Sequence, residues 1–151
     1  LEGCAGHDGV CFGDAYLVGV DVIAAQHLEL AAVVSNLCKA LREGQGEAAV
    51  LALFEELRAC TEQHFATEHG LMVRHGFPGR AAHDQMHGSL LLELRGMRPE
   101  LSREGALFLT DRLRHWLLEH ILEQDRALGE YLKGLGDAAP GPRPGSAPDG
   151  P

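Results

Sequence analysis

Along the middle of the chain, apolar residues recur at steps of three and four, the period of a helix that buries one face. Four such stretches are separated by short breaks. The first covers residues 22–42 and stops at Glu43-Gly-Gln-Gly46, and the second covers 47–75 and ends at Gly76-Phe77-Pro78-Gly79. The third covers 80–97 and is closed by Arg98-Pro99, and the fourth covers 102–133, with Ser102 as an imperfect N-terminal cap. Long amphipathic helices joined by short loops become antiparallel neighbours, so the pattern predicts an all-α, up-down-up-down four-helix bundle over residues 22–136. Residues 1–21 carry glycines and little periodicity and read as an extended N-terminal arm. The tail, 137–151, holds five of the seven prolines and too little apolar surface to offset the entropy of ordering, so it is expected to be disordered.

Written out residue by residue, the apolar stripes contain groups that a core should reject. The first helix reads Ile23, His27, Leu30, Val34, Leu37, Leu41. The second reads Val50, Leu53, Phe54, Leu57, Thr61, His64, Glu68, Leu71, Met72, and the third His83, His87, Leu90, Leu91, Leu94. The fourth reads Leu109, Leu113, Leu117, His120, Ile121, with Asp125 at the edge of the same face before Leu128. Every stripe is interrupted by histidine and two also by a carboxylate. Burying an unpaired carboxylate costs on the order of several kcal/mol, so seven such groups aimed at one core need a common counterpart, and a pair of cations supplies it. Imidazole and carboxylate together suit iron, zinc and manganese.

Spacing supports convergence. His64 and Glu68 stand four apart, as do His83 and His87, which sets each pair on one helix face. His120 and Asp125 stand five apart, about 140° around a regular helix, a spread better suited to ligands of different ions or to a bridge than to chelation of one ion. A lone histidine on an apolar stripe is usually a satisfied core residue, and an isolated His-x-x-x-His is common. What makes the set specific is that all seven keep phase with their own stripes. By the same phasing, His115 falls with Arg112, Glu119, Glu123 and Arg126 on a charged face, His75 lies at a helix end, and His69 reads as exposed.

The charge balance narrows the partners. A formal net charge of −9 argues against nucleic acid and anionic lipid, and no apolar run approaches the roughly 20 residues of a membrane span. The chain opens at Leu1 without a basic, then apolar leader, and reads as an excised or processed cytoplasmic domain. None of Cys4, Cys11, Cys38 and Cys60 forms a Cys-x-x-Cys pair; Cys38 and Cys60 fall on core stripes, consistent with a reducing compartment. Cys4, His7 and Cys11 on a glycine-rich arm are a weak metal motif.

At these residues the sequence resembles the hemerythrin family in its bacterial form. Phe12-Gly-Asp-Ala-Tyr through Gln26-His27 is similar to the family's arm running into its first histidine. His64-Phe-Ala-Thr-Glu68 with Leu71-Met72 and Gly76-Phe-Pro78, then His83-Asp-Gln-Met-His87, then Trp116-Leu-Leu-Glu-His120-Ile with Asp125, resemble its remaining motifs over residues 12–132. Phe12 stands where bacterial members usually carry Trp, Ala24 where Asp is frequent, and His69 where Glu is frequent; none is a ligand position. The resemblance implies two non-haem, oxo- or hydroxo-bridged iron ions. His83, His87 and His120 would hold one and His27 and His64 the other, with Glu68 and Asp125 bridging. It also implies an oxygen pocket of Leu30, Phe65, Trp116, Leu117 and Ile121. The expected function is reversible dioxygen binding for carriage, storage or delivery, rather than enzymatic turnover. The alternatives are an oxygen or redox sensor acting through a partner protein or fused signalling domain, and a di-iron peroxidase or nitric-oxide-handling enzyme.

Overall fold

The computed structural model describes residues 21–98 and 106–137. The helices are α1 (Asp21–Arg42), α2 (Glu47–His75), α3 (Arg80–Met97), α4 (Ala106–Glu119) and α5 (Arg126–Asp137). A π-helical turn, His120–Asp125, joins α4 to α5 without a break, so these three segments make the fourth rod of an all-α four-helix bundle. Residues 1–20, the Ser102 cap and residues 138–151 lie outside the described residues; Asp21 and Asp137, expected in the arm and the tail, are the end residues of α1 and α5.

Glycine sets the sharpness of two reversals. Gly76 ends α2 in the left-handed region (φ 66°, ψ 40°), which a side chain disfavours. From there its N–H bonds back to Val73, and the next N–H, of Phe77, reaches the Met72 carbonyl at 3.0 Å. The last orphan carbonyls of the helix are thereby satisfied. Tyr131 of α5 adds to this cap, its hydroxyl donating to the carbonyls of His75 (2.9 Å) and Gly76 (3.2 Å), which ties the fourth rod to the end of α2. Gly44 (φ 64°) turns α1 into α2 in the same way.

The buried apolar residues form two separate blocks. The larger runs through Leu30, Val34 and Leu37 of α1, Phe54 and Leu57 of α2, Leu94 and Met97 of α3, and Leu109, Leu113, Trp116 and Leu117 of α4. The smaller is Ile23, Met72 and Leu128, with Leu71, Phe77 and Leu132 packed against it. Fully burying a Leu or Phe contributes about 1.5–3 kcal/mol. On every rod the stretch between the blocks is polar: His27 on α1, Thr61 to Glu68 on α2, His83 and His87 on α3, and His120 with Asp125 in the π turn. The core is therefore interrupted by a belt of ionisable groups, and the fold needs another source of cohesion there.

Candidate metal centre

All seven sequence-derived candidates reach this belt, and none is more than 5% exposed. Each arrives from helix geometry: His27 one turn beyond Ile23, His64 and Glu68 a turn apart, His83 and His87 a turn apart on the next helix. Donor atoms of six of them fall into two nests, each within 4.8 Å: His27, His64, Glu68 and Asp125, and Glu68, His83, His87 and Asp125; His120 stands outside both, its Nε2 3.2 Å from Asp125 Oδ1. The two carboxylates belong to both.

Asp125 faces both ways through different oxygens. Its Oδ2 is 2.8 Å from His27 Nε2 and 3.2 Å from His64 Nε2. On the other side, Oδ1 is 3.2 Å from His120 Nε2 and 3.5 Å from His83 Nε2. Glu68 Oε2 lies 3.0 Å from His87, 3.1 Å from His83 and 3.7 Å from His64.

The π turn revises one expectation. On the regular helix expected for residues 102–133, His120 and Asp125 would diverge by about 140°. A π turn bonds residue i to i+5, so residues five apart become neighbours along the axis. His120 and Asp125 occupy its two ends and meet at 3.2 Å. Such turns are concentrated at functional sites.

Several of these buried atoms lack a hydrogen bond despite close neighbours: Glu68 Oε1, Asp125 Oδ1, His87 Nε2 and both nitrogens of His120. Buried polar atoms almost always find a partner, so orphans gathered in one place require an explanation. A cation satisfies them at once, because it needs only a lone pair aimed at it, and imidazole nitrogens with carboxylate oxygens are suitable donors. The residues fit a metal centre.

The electrostatics agree. Burial works against ionised Asp125, yet the charge of His120, close beside it, and hydrogen bonds from His27 and His64 hold its carboxyl well below the usual range. For Glu68, burial is likewise overcome by the hydrogen bond from His83 and the close approach of His87, and its pKa is lowered. Burial dominates at His87 and lowers its pKa, favouring the neutral ring that a metal needs. At His64 burial is outweighed by the hydrogen bond to Asp125 and the charges of Glu68 and Asp125, which raise the value.

Of the residues expected to wall the site, Phe65 is in direct contact with it. Its ring stacks on His87 at 3.7 Å, nearly parallel, and meets His120 edge-on at 5.0 Å. Leu30, Trp116 and Leu117 are buried in the larger apolar block that begins beside the belt, and Trp116 Nε1 donates to the Leu90 carbonyl at 3.2 Å. The side chain of Ile121 lies outside the described residues. The remaining histidines among the described residues stay on the surface: His69 pairs with Asp84 at 2.9 Å, His115 with Glu119 at 2.9 Å, and His75 is exposed. Cys38 is buried, and Cys60 is half-buried against the core. One contact had no counterpart in the sequence reading: Gln26 Oε1 lies 3.2 Å from His64 Nδ1. A glutamine on one helix gives no sign that it meets a histidine on the next.

Fold and belt together define a helical domain built to hold cations. The chain belongs to the hemerythrin family: the model described as the hemerythrin HHE cation binding domain matches residues 18–132. It is 32% identical over 120 residues to a bacteriohemerythrin of Stenotrophomonas maltophilia, covering 77% of this chain and 76% of that protein. A bacteriohemerythrin of Pseudomonas aeruginosa is 29% identical over 109 residues, 71% of each chain. A myohemerythrin of Riftia pachyptila is 25% identical over 108 residues, 72% of this chain and 81% of its own. Among the described residues, no helix is long and apolar enough to cross a membrane.

Proposed function

We propose that the domain binds dioxygen reversibly at a pair of non-haem iron ions, for carriage, storage or delivery, and is not an enzyme. The observation that carries this reading is an uneven donor set around two shared carboxylates. His83, His87 and His120 gather on one side and His27 and His64 on the other, with Asp125 facing both through separate oxygens. The side with two imidazoles has one protein ligand fewer, which leaves space for a small molecule. When bound, a ferrous pair supplies that coordination position together with two electrons.

The chain's own residues make the binding reversible. A donor set of five imidazoles with only two carboxylates carries little negative charge, so it would not push the ions toward high oxidation states. Phe65 covers His87 with a flat apolar ring, and Leu30, Trp116 and Leu117 continue the dry side of the belt. An apolar wall excludes water and offers no proton to a bound ligand. Likeness to proteins named bacteriohemerythrin and myohemerythrin supports the same reading. Iron-loaded protein, reduced without air and then exposed to it, is expected to gain a visible charge-transfer band that fades when oxygen is removed. Oxidation that does not reverse, or turnover of hydrogen peroxide, would overturn it.

A further inference from the structure

We infer that Gln26 is a positioning residue that decides which ring nitrogen of His64 faces the metal centre. This rests on reading the His27/His64 side as a metal-holding side. The deduction starts at Thr67, whose hydroxyl donates its single hydrogen to the Gln63 carbonyl at 3.0 Å. That oxygen can then only accept from a further neighbour. The Gln26 atom 2.9 Å from it must therefore be the NH2 group, as Nε2 is. The other half of the amide, Oε1, is left 3.2 Å from His64 Nδ1, and a carbonyl oxygen only accepts. Nδ1 must carry a hydrogen.

The hydrogen-bond chain Gln63–Thr67–Gln26–His64 thus reserves Nε2 as the ring's ligand atom. Nε2 is the atom that points inward, 3.2 Å from Asp125 and 3.7 Å from Glu68. Gln26 directly precedes His27, so one turn of α1 presents a ligand and also the partner of a ligand on α2. Its amide is neutral. A carboxylate in this place would draw on the Nδ1 proton and make the ring a more basic donor, whereas an amide holds the ring without doing so.

The test is a Co(II) titration of the purified chain, with thermal melts of the metal-free proteins to establish folding. The unmodified chain is expected to take two equivalents. Gln26→Leu should weaken one of them about 10- to 100-fold, the usual cost of losing such a partner, and leave the other unchanged. Gln26→Glu keeps an acceptor for Nδ1–H, so it should restore that affinity while lowering the reduction potential of the iron-loaded protein, a shift that simple loosening of the helix would not produce. Thr67→Val, which frees the amide to turn over, should weaken the same equivalent by a smaller factor and covers the case in which Gln26→Leu fails to fold. Unchanged affinity at both equivalents in folded Gln26→Leu would overturn the inference, as would equal weakening of both. Absence of Co(II) binding by the unmodified chain would instead sink the metal reading beneath it.

Discussion

Asp125→Asn changes the shape of the centre very little and removes one negative charge from a fully buried place. The carboxylate is fully buried, and nitrogens of four histidines lie within 3.5 Å of it. Asp84 provides a matched control, since it meets His69 at 2.9 Å, close to the 2.8 Å between Asp125 and His27, but His69 is half exposed. Bond length is nearly equal in the two pairs, whereas exposure and the number of neighbouring histidines differ. Removing one partner of a buried pair costs about 3–5 kcal/mol, because the other is left uncompensated. An exposed pair is worth at most about 1 kcal/mol. At roughly 3 °C per kcal/mol for a chain of this size, metal-free Asp125→Asn should melt about 10–15 °C below the parent and Asp84→Asn within about 3 °C of it. Metal stoichiometry should fall from two ions to at most one in Asp125→Asn and stay at two in Asp84→Asn. Equal losses of stability, or two ions held by Asp125→Asn with unchanged affinity, would refute the bridging role.

Three further predictions follow from the same geometry. His27→Ala should lower iron content and abolish the oxygen-dependent band, whereas His115→Ala, on the exposed face, should leave both unchanged in a metal assay and spectrum. Phe65→Ala should cost about 3–5 kcal/mol in a denaturant melt and admit water beside His87, seen as faster irreversible oxidation of the iron-loaded protein. The metal-free protein should lose stability in acid. Asp125 and Glu68 have lowered values, so their contribution is complete above the ordinary carboxylate pKa of about 4 and is lost below it as the pH falls through the lower folded values. His87, also lowered, favours the neutral folded form and adds to the loss below about pH 6.5. His64 has the opposite sign: its raised value stabilises below about pH 6.5, and that contribution is lost as the pH rises through the higher folded value. Melting temperature against pH checks both limbs, and metal affinity should fall toward acid as protons compete for His64.

Much of this architecture was legible because polar groups in a core violate the binary pattern so plainly. His27, His64, Glu68, His83, His87 and His120 keep the phase of their stripes, and counting at 3.6 residues per turn was enough to bring them inward. The helix ends were legible where glycine or proline marks them, as at Gly76-Phe-Pro. Regular α-helix geometry puts Asp125 only at the edge of its stripe; a wide turn has no strong residue signature, and hydrophobicity does not report it. The network of Gln63, Thr67 and Gln26 was illegible for a different reason. It depends on the register of α1 against α2, and the pattern of a single helix says nothing of its neighbour's rotation.

The π turn also sets how the fourth rod tolerates a change in length. It steps five residues where an α-helix steps four, so deletion of a single position such as Glu123 would let the backbone close into an uninterrupted α-helix and return His120 and the carboxylate to a four-residue separation. The flanking segments would keep their faces. The same deletion at Arg112, within regular helix, would swing everything beyond it by about 100° and carry His120 out of the belt. The rod thus has one place where losing a residue is absorbed, and it lies within the turn that carries the candidate ligands His120 and Asp125.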